Sequence, residues 1–422
     1  MQTDFNDIHS FKYVKYIKCL IFGLLIQSTV FAQNPPQNLI FQWIGFPTKI
    51  KILDSLLLQS NHFALEVQDY NRTAIQNVLK HNRLLKNYKD SLEAEMSIQK
   101  TATHFFNDLA YGNKPPILDY RGAKFEMTAF NIPALIKSYN QKNNLAQLVN
   151  ILNAQSVEVK KIIDTLNSLQ NVALKNQSKI NLLKIAANDY RWLNAVRMKQ
   201  RIVLVNIPSA QLKVYDGATI PLQMKLILGK PSTPTKTLST YIKQVTINPY
   251  WTVPKSIIIN EMLPKIQQDI TYLSRNHLEV LGSNYKAINP YEINWFGIDL
   301  DHFPYIIRQA TGCENALGIL KLEFESPFSI YLHDTPEKQL FKYTSRFFSH
   351  GCMRMEKPIE MGRLLLEDNL AALDSIDLTK CYLNPKPIFI PVTSKIPLVV
   401  WYSRVDFDSN NNLLIYKNVY NR

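Results

Sequence analysis

A cysteine, two histidines and an arginine occupy two short stretches of the C-terminal half, and their chemistry suits acyl transfer. The first stretch contains His333, and the second reads Ser349-His350-Gly351-Cys352-Met353-Arg354. A cysteine thiol is a weak nucleophile until a base removes its proton, and histidine is the usual base near neutral pH. The glycine before Cys352 lets the backbone turn tightly, so that main-chain N–H groups can face a developing oxyanion. This pattern is typical of a cysteine acyl-transfer enzyme.

Two other uses of these residues stay open from the pattern alone. Zinc sites usually show C-x-x-C or H-x-x-x-H pairs that supply four ligands, whereas the single thiol here has no such paired spacing. A lone cysteine is more often a small buried hydrophobic residue than a nucleophile. The two histidines and Arg354 favour catalysis, because a neighbouring cation raises the thiolate fraction.

The elements that must position these residues are predicted to be strands. Short β-branched and apolar runs, separated by turn residues such as Asp216-Gly217, indicate a mainly β domain. Its predicted strands cover 201–215, 221–228, 238–247, 303–309, 318–324 and 328–333. Because side chains alternate along a strand, Tyr331 and His333 are expected on one face and Asp334 on the other.

The N-terminal half has a different pattern, because its apolar residues recur at helical spacing from 48 to 113 and from 132 to 190. We predict an N-terminal helical region at 33–130 and a helical linker region at 131–195. The β domain is assigned to 196–385, with an insertion at 255–300 that shows helical periodicity. Residues 386–422 are predicted to be a short β-like tail without assignable chemistry.

Residues 1–32 have the three parts of a secretory signal. Lys12, Lys15 and Lys18 precede a short apolar run, and a small-residue cleavage site ends at Ala32. The apolar run is far shorter than the ~20 residues that span a bilayer. We therefore predict export, with cleavage near Ala32 and a periplasmic or cell-envelope location.

Export changes how the cysteines are interpreted. Cys19 would leave with the signal, so that Cys313, Cys352 and Cys381 remain, and an odd number points to at least one free thiol. Cys352 is the candidate for that thiol, while pairing of Cys313 with Cys381 is left open. The net charge of +14 suggests either anionic partners or simply a solvated lysine-rich surface. Nucleic acid is disfavoured by export and by the scattered basic residues.

Several segments together resemble the YkuD-type L,D-transpeptidases, and in particular their YcbB-like periplasmic subgroup. The catalytic signature of that family resembles His333-Asp334-Thr335 followed by Ser349–Arg354. Further segments similar to the subgroup are Leu226–Pro231 with Thr233-Pro234-Thr235, Asn248–Pro254, Asn315–Gly318 and Tyr331–Pro336. The peptidoglycan-binding repeat that the subgroup often carries is missing from 131–195.

The resemblance implies an α+β fold: a mainly β catalytic domain with an inserted helical capping subdomain, preceded by an α-helical region. It implies Cys352 as nucleophile and His333 as general base, acting on peptidoglycan stem peptides without metal or organic cofactor. Gly351 and Cys352 N–H groups are expected to hold the oxyanion, and Tyr331 to assist. Arg354 is a candidate for binding a substrate carboxylate, for lowering the pKa of the thiol, or for a purely structural ion pair. Asp334 is a candidate for orienting His333, and Ser349 and His350 for local structure.

The resemblance also implies covalent inhibition by β-lactams, carbapenems in particular. Hydrolysis of the same thioester, which would make the protein an L,D-carboxypeptidase, and non-catalytic binding to the cell wall are the alternatives. The oligomeric state is left open.

Overall fold

The described part of the chain divides into a helical N-terminal portion and a portion made mainly of strands. The computed structural model describes residues 41–81, 87–170, 173–299, 301–367, 369–376, 380–382 and 384–422. The predicted signal segment 1–32 lies outside these ranges. Within them, no helix is both long enough and apolar enough to cross a bilayer. Helices dominate before residue 197 and strands after residue 202, so the fold is α+β as predicted.

The N-terminal portion is a set of helices packed around a shared apolar core. The helices are α1 (Pro47–Leu58), α2 (Thr73–His81), α3 (Tyr88–Tyr111), α4 (Ile132–Gln141), α5 (Leu145–Ala154), α6 (Val157–Gln170) and α7 (Ala173–Arg197). The α3 helix begins where the Asn87 side chain accepts a hydrogen bond from the Asp90 N–H, and it ends at Gly112. Its buried residues recur every three or four positions, so one face enters the core.

The last of these helices joins the helical portion to the sheet. Tyr190 and Leu193 of α7 are buried and share an apolar cluster with Leu204 and Val399 of the sheet. One face of the sheet is therefore covered by the predicted linker region.

The strands form one large sheet, one three-stranded sheet and one two-stranded sheet. They are β1 (Tyr120–Arg121), β2 (Ile202–Asn206), β3 (Gln211–Asp216), β4 (Thr219–Gly229), β5 (Leu238–Ile247), β6 (Trp251–Thr252), β7 (Leu278–Leu281), β8 (Ile306–Gln309), β9 (Leu320–Phe324), β10 (Leu332–His333), β11 (Phe347–Ser349), β12 (Met353–Met355), β13 (Ile388–Pro391), β14 (Pro397–Trp401), β15 (Val405–Phe407) and β16 (Leu413–Ile415). The large sheet has the order β1-β5-β14-β2-β3-β4-β12-β10-β9, and pairing of β5 with β9 closes it into a ring.

The segment predicted as a C-terminal tail is part of this ring. Strand β14 lies between β5 and β2, antiparallel to the first and parallel to the second. Leu398 and Val400 enter the core inside the ring, while Val399 and Trp401 pack against α7. The run from Pro397 to Trp401 is apolar without interruption because both of its faces are buried. Within 386–422, strand β14 therefore completes the ring, while β15 and β16 form the separate two-stranded sheet.

The insertion forms a small subdomain with its own core. It contains α8 (Lys255–Ile257), a π-helical turn (Ile258–Met262), α9 (Leu263–Gln268) and α10 (Thr271–Arg275). The prediction of a helical insertion at 255–300 is incomplete, because β7 lies within it and pairs with β8, which falls in the strand predicted at 303–309 and also pairs with β6. Apolar residues from the helices and the strands, including Met262, Trp295 and Ile307, pack together into a core distinct from that of the ring.

Two short helices and a disulfide lie beside the sheet. The helices are α11 (Pro358–Leu365) and α12 (Ala371–Asp374), and single 3₁₀ turns occur at Ser60–Phe63, Val67–Asp69, Pro290–Glu292 and Lys338–Lys342. Cys313 and Cys381, whose pairing the sequence left open, form a disulfide with Cα atoms 5.4 Å apart. Among the cysteines in the described ranges, Cys352 is the free thiol.

Candidate active site

His333 lies at the centre of three short strands that bring together residues far apart in the sequence. Strand β10 runs antiparallel to β9 and parallel to β12. In this register His333 is opposite Lys321 on one side and Arg354 on the other. Since β12 begins immediately after Cys352, the same pairing places the cysteine next to Tyr331.

The His333 imidazole is buried and hydrogen-bonded in a way that leaves one nitrogen basic. Its side chain is 3% exposed, and Nδ1 is bonded to the backbone carbonyl oxygen of Asp334. A carbonyl only accepts, so Nδ1 carries the proton and Nε2 has the free lone pair. Burial lowers the pKa of His333 to about 3, and the charges of Arg354 and Lys321 contribute further. His333 is therefore neutral at pH 7, the state that a general base requires.

Asp334 orients His333 through its main chain and not through its carboxylate. The carboxylate accepts a hydrogen bond from the Ile319 N–H at 3.0 Å and pairs with Lys338. A Cβ on Gly318 would come within 2.3 Å of the same carboxylate, so the glycine gives it room. Asp334 therefore contacts the histidine as predicted, but through its backbone carbonyl oxygen and not through its carboxylate.

The turn before Cys352 is held by Ser349, as predicted for a structural residue. The Ser349 hydroxyl donates to the Cys352 carbonyl oxygen at 2.6 Å and accepts from the Gly351 N–H at 3.1 Å. Gly351 has a φ of +116°, a backbone conformation that side chains disfavour. Because its N–H already has an acceptor, Gly351 is corrected from an oxyanion donor to a turn residue. Within the described residues, the Cys352 N–H donates no hydrogen bond to another group.

The Cys352 thiol is neutral at rest, contrary to the expectation that its neighbours favour the thiolate. Burial raises the pKa of Cys352, and this outweighs the lowering by the Tyr331 backbone, Arg354 and Lys321. Burial also raises the pKa of Tyr331, and the charge of Cys352 raises it further. The backbone places Tyr331 beside Cys352, because the Met353 N–H donates to the Tyr331 carbonyl oxygen at 2.9 Å.

Lys321 belongs to this site, although it was not predicted from the sequence. It lies opposite His333, and its Nζ sits 4.0 Å from the centre of the Tyr331 ring. Strand β9 alternates buried and half-buried residues, which shows only that Lys321 and Glu323 share a face. In the sequence, Lys321 is a lysine in the predicted strand 318–324, which precedes the predicted strand that contains His333. Only the strand register shows that Lys321 lies opposite His333.

Arg354 and His350 both make contacts that the local sequence does not show. Arg354 pairs with Glu337, which follows the His333 strand. The His350 ring, expected to hydrogen-bond locally, has its Nε2 2.6 Å from a carboxylate oxygen of Glu261 in the insertion. The insertion therefore contacts the turn that precedes Cys352 through this side-chain pair.

The described side chains offer no arrangement for a metal ion. Among them, no three His, Cys, Asp or Glu side chains converge as ligands. The site is instead a thiol and a neutral imidazole beside two cationic side chains, each of which pairs with a carboxylate: Lys321 with Glu323 at 3.1 Å, and Arg354 with Glu337.

Comparison with known proteins identifies the domain that holds this site. Residues 200–369 match the family model described as the L,D-transpeptidase catalytic domain, YkuD. A curated Haemophilus influenzae protein named "Putative L,D-transpeptidase" is 31% identical over 228 residues, which cover 54% of this chain and 46% of that protein. The match thus spans about half the length of that relative.

Solved L,D-transpeptidases resemble the chain more distantly. One from Mycobacterium smegmatis is 14% identical with a TM-score of 0.20, covering 47% of this chain and 58% of its own. L,D-transpeptidase 3 from Mycobacterium tuberculosis, in complex with a faropenem-derived adduct, is 12% identical with a TM-score of 0.22, covering 48% and 60%. The assignment therefore rests on the family model, and residues 200–369 form a catalytic domain of the YkuD family of L,D-transpeptidases.

Proposed function

We propose that this protein is a cysteine L,D-transpeptidase that cross-links peptidoglycan stem peptides. The observation that carries the proposal is the neutral His333, with Nε2 unprotonated, in a strand paired with the one that follows Cys352. The donor is a tetrapeptide stem, and the acceptor is the side-chain amine of a second stem, which gives a 3→3 cross-link.

The first half of the reaction forms a thioester. His333 Nε2 takes the Cys352 proton as sulfur attacks the carbonyl of the third stem residue, because both groups are neutral before attack. The oxyanion is held by the Cys352 N–H, with Tyr331 beside it. The resulting imidazolium is strongly acidic in this buried, cationic surrounding, so it gives its proton to the departing D-Ala amine.

The second half transfers the acyl group. His333, neutral again, removes a proton from the acceptor amine as that amine attacks the thioester, and sulfur leaves as the restored thiol. Attack by water instead would only trim the stem. Arg354 and Lys321 supply positive charge near the nucleophile and are positioned to attract a carboxylate of the stem.

Export is the location that this function requires. The residues that carry the predicted signal, 1–32, lie outside the described ranges. The Cys313–Cys381 disulfide supports export, since such bonds persist mainly in oxidising compartments. The proposed partners are stem peptides and, as covalent inhibitors, carbapenem-type β-lactams.

The proposal is tested with purified enzyme and defined disaccharide-tetrapeptides, followed by mass spectrometry. We expect the wild-type protein to release D-Ala and to form both an acyl-enzyme and a cross-linked dimer. Cys352→Ala should lower the rate of cross-linking by about 10³-fold or more, because His333 cannot contribute as a base once the nucleophile is gone. Ser345→Ala is the matched control, because Ser345 is exposed and lies in the segment that leads into the same turn.

Three results would contradict the proposal in different ways. Release of D-Ala without dimer identifies a carboxypeptidase. Unchanged cross-linking by Cys352→Ala removes Cys352 as nucleophile. Binding of the muropeptide without any covalent product identifies a wall-binding protein.

A further inference from the structure

The peptide bond between Gly351 and Cys352 determines where the proposed oxyanion donor points. In a trans peptide the C=O and the N–H lie in one plane and point in opposite directions. Whatever holds the Gly351 carbonyl oxygen therefore also sets the direction of the Cys352 N–H. The Gly351 carbonyl oxygen has a side-chain donor, Thr235, at 2.9 Å.

The Thr235 hydroxyl has no freedom to rotate away from this contact. Thr235 is fully buried, and its Oγ1 accepts a hydrogen bond from the Gly229 N–H at 2.9 Å. The hydroxyl proton is thus directed to the Gly351 carbonyl oxygen, which can only accept. One buried side chain therefore links the end of β4 to the peptide that carries the nucleophile.

The C-terminal segment holds Thr235 in turn. The Tyr420 hydroxyl donates to the Gly229 carbonyl oxygen at 2.6 Å and accepts from the Thr235 N–H at 3.3 Å. The Tyr420 ring packs against Phe347 of β11, with ring centres 5.9 Å apart. Tyr420 thereby braces both residues that define the position of the Thr235 hydroxyl, although it lies beyond the family match at 200–369.

The close approach of these segments depends on Gly229. A Cβ on Gly229 would lie 2.2 Å from the Thr233 carbonyl oxygen and 3.1 Å from the Gly351 Cα. Only glycine allows the 229–235 loop to pack directly on the turn before Cys352.

We infer that Thr235, braced by Tyr420, is a positioning residue that aims the Cys352 N–H at the oxyanion of the acyl-transfer step. This inference rests on the proposed function. Neither residue touches the substrate in this scheme; both act through the Gly351–Cys352 peptide.

Two reagents separate an oxyanion effect from a general effect on the thiol. Acylation by a carbapenem passes through a tetrahedral oxyanion, whereas alkylation by iodoacetamide is a direct displacement that forms none. If the Cys352 N–H no longer points at the oxyanion, acylation by the carbapenem should slow and alkylation by iodoacetamide should not change. Both rates are measured by mass spectrometry on the full chain.

Thr235→Val removes the hydroxyl and keeps the shape. We expect carbapenem acylation to fall about 10- to 100-fold, below the roughly 10²–10³-fold loss found when a donor is removed outright. Alkylation should stay within about twofold, and Thr235→Ser should restore acylation because it keeps the hydroxyl. Thr233→Val is the matched control, since Thr233 donates at 3.2 Å to the Ser349 carbonyl oxygen, which belongs to a different peptide.

Tyr420→Phe tests the brace if Thr235→Val does not fold, because it keeps the ring and removes only the hydroxyl. It should slow acylation by about 3- to 10-fold without slowing alkylation, a smaller loss because Tyr420 acts through Thr235. Equal acylation by Thr235→Val, Tyr420→Phe and wild type overturns the inference. Equal slowing of acylation and alkylation also overturns the inference, because it would show that the substitution lowers the reactivity of the thiol in general. A wild-type protein that is alkylated and never acylated overturns the proposed function itself.

Discussion

Two largely buried groups of ionisable side chains differ in how many hydrogen-bond partners surround them: Lys213 with Asp406, and His333 with Cys352. At one, Lys213 and Asp406 form an ion pair at 2.7 Å with side chains 5% and 4% exposed. At the other, burial shifts the pKa values of His333 and Cys352 with little compensation. The difference lies in the hydrogen-bond partners that each group has been given.

The Lys213–Asp406 pair is surrounded by partners. Asp406 also accepts from Asn206 at 2.9 Å and Ser209 at 2.7 Å, and Lys213 also donates to the Phe407 carbonyl oxygen at 2.6 Å. These bonds offset the loss of hydration and tie β15 to the ring. Removing either charge would leave the other without compensation.

The His333–Cys352 site has fewer such partners, as the proposed chemistry requires. The imidazole has one hydrogen bond to a carbonyl, and the nearby cations oppose its protonation. Both groups therefore stay neutral and are free to exchange a proton during attack. A fully paired polar cluster stabilises a fold, whereas a partly paired one is available for chemistry.

The largest expected effect on stability comes from breaking the paired cluster. Asp406→Ala leaves the Lys213 ammonium buried without its carboxylate, and we expect the free energy of unfolding to fall by about 3–5 kcal/mol. Urea denaturation measures this change. Asp216→Ala is the control, because its ion pair with Arg201 is partly exposed and should contribute at most about 1 kcal/mol. If Asp406→Ala lowered the free energy of unfolding as little as Asp216→Ala, the Lys213–Asp406 pair would not be a stabilising cluster distinct from the His333–Cys352 site.

A smaller effect should appear as pH dependence from His333. The unfolded imidazole binds a proton near pH 6.5, while the folded one stays neutral down to about 3. The unfolded state therefore binds more protons in this window, so stability falls as pH drops below 6.5. Between pH 7 and pH 5 the wild-type protein should lose about 2 kcal/mol more than His333→Gln.

Denaturation of both proteins at the two pH values checks this expectation. His302, whose side chain is 86% exposed, supplies the control, and His302→Gln should keep the wild-type slope. Parallel pH profiles for wild type and His333→Gln would show that His333 is not held neutral.

The smallest effect should follow from removing one cation of the site. Lys321 lowers the pKa of the Cys352 thiol, so Lys321→Met should raise it and reduce the thiolate fraction. Iodoacetamide alkylation near pH 7.5 should slow by about two- to fivefold, the scale of a partly screened charge interaction. Lys243→Met is the control, since Lys243 pairs with exposed Glu325. Faster alkylation of the Lys321→Met variant would contradict the conclusion that Lys321 lowers the pKa of the Cys352 thiol.

Much of the fold was predictable because its signals are local. Apolar residues at helical spacing predicted the N-terminal helices, and β-branched runs predicted strands such as β5 at 238–247. The role of β14 was missed, although its unbroken apolar run is typical of a strand buried on both faces. The strand β8 falls within the predicted 303–309, but its pairing with β6 and β7 was missed, since those two strands are short and β6 and β8 lie far apart in the sequence.

The sequence alone was enough to nominate Cys352 and His333, because thiol, imidazole and glycine chemistry can be recognised from residue type and order. Their protonation states, the position of Lys321 and the support from Thr235 and Tyr420 depended on the tertiary structure. Burial shifts a pKa only once the surrounding chain has excluded water. A hydrogen bond such as that between Thr235 and Gly351 requires strand register and loop packing, which bring together residues that no local pattern connects.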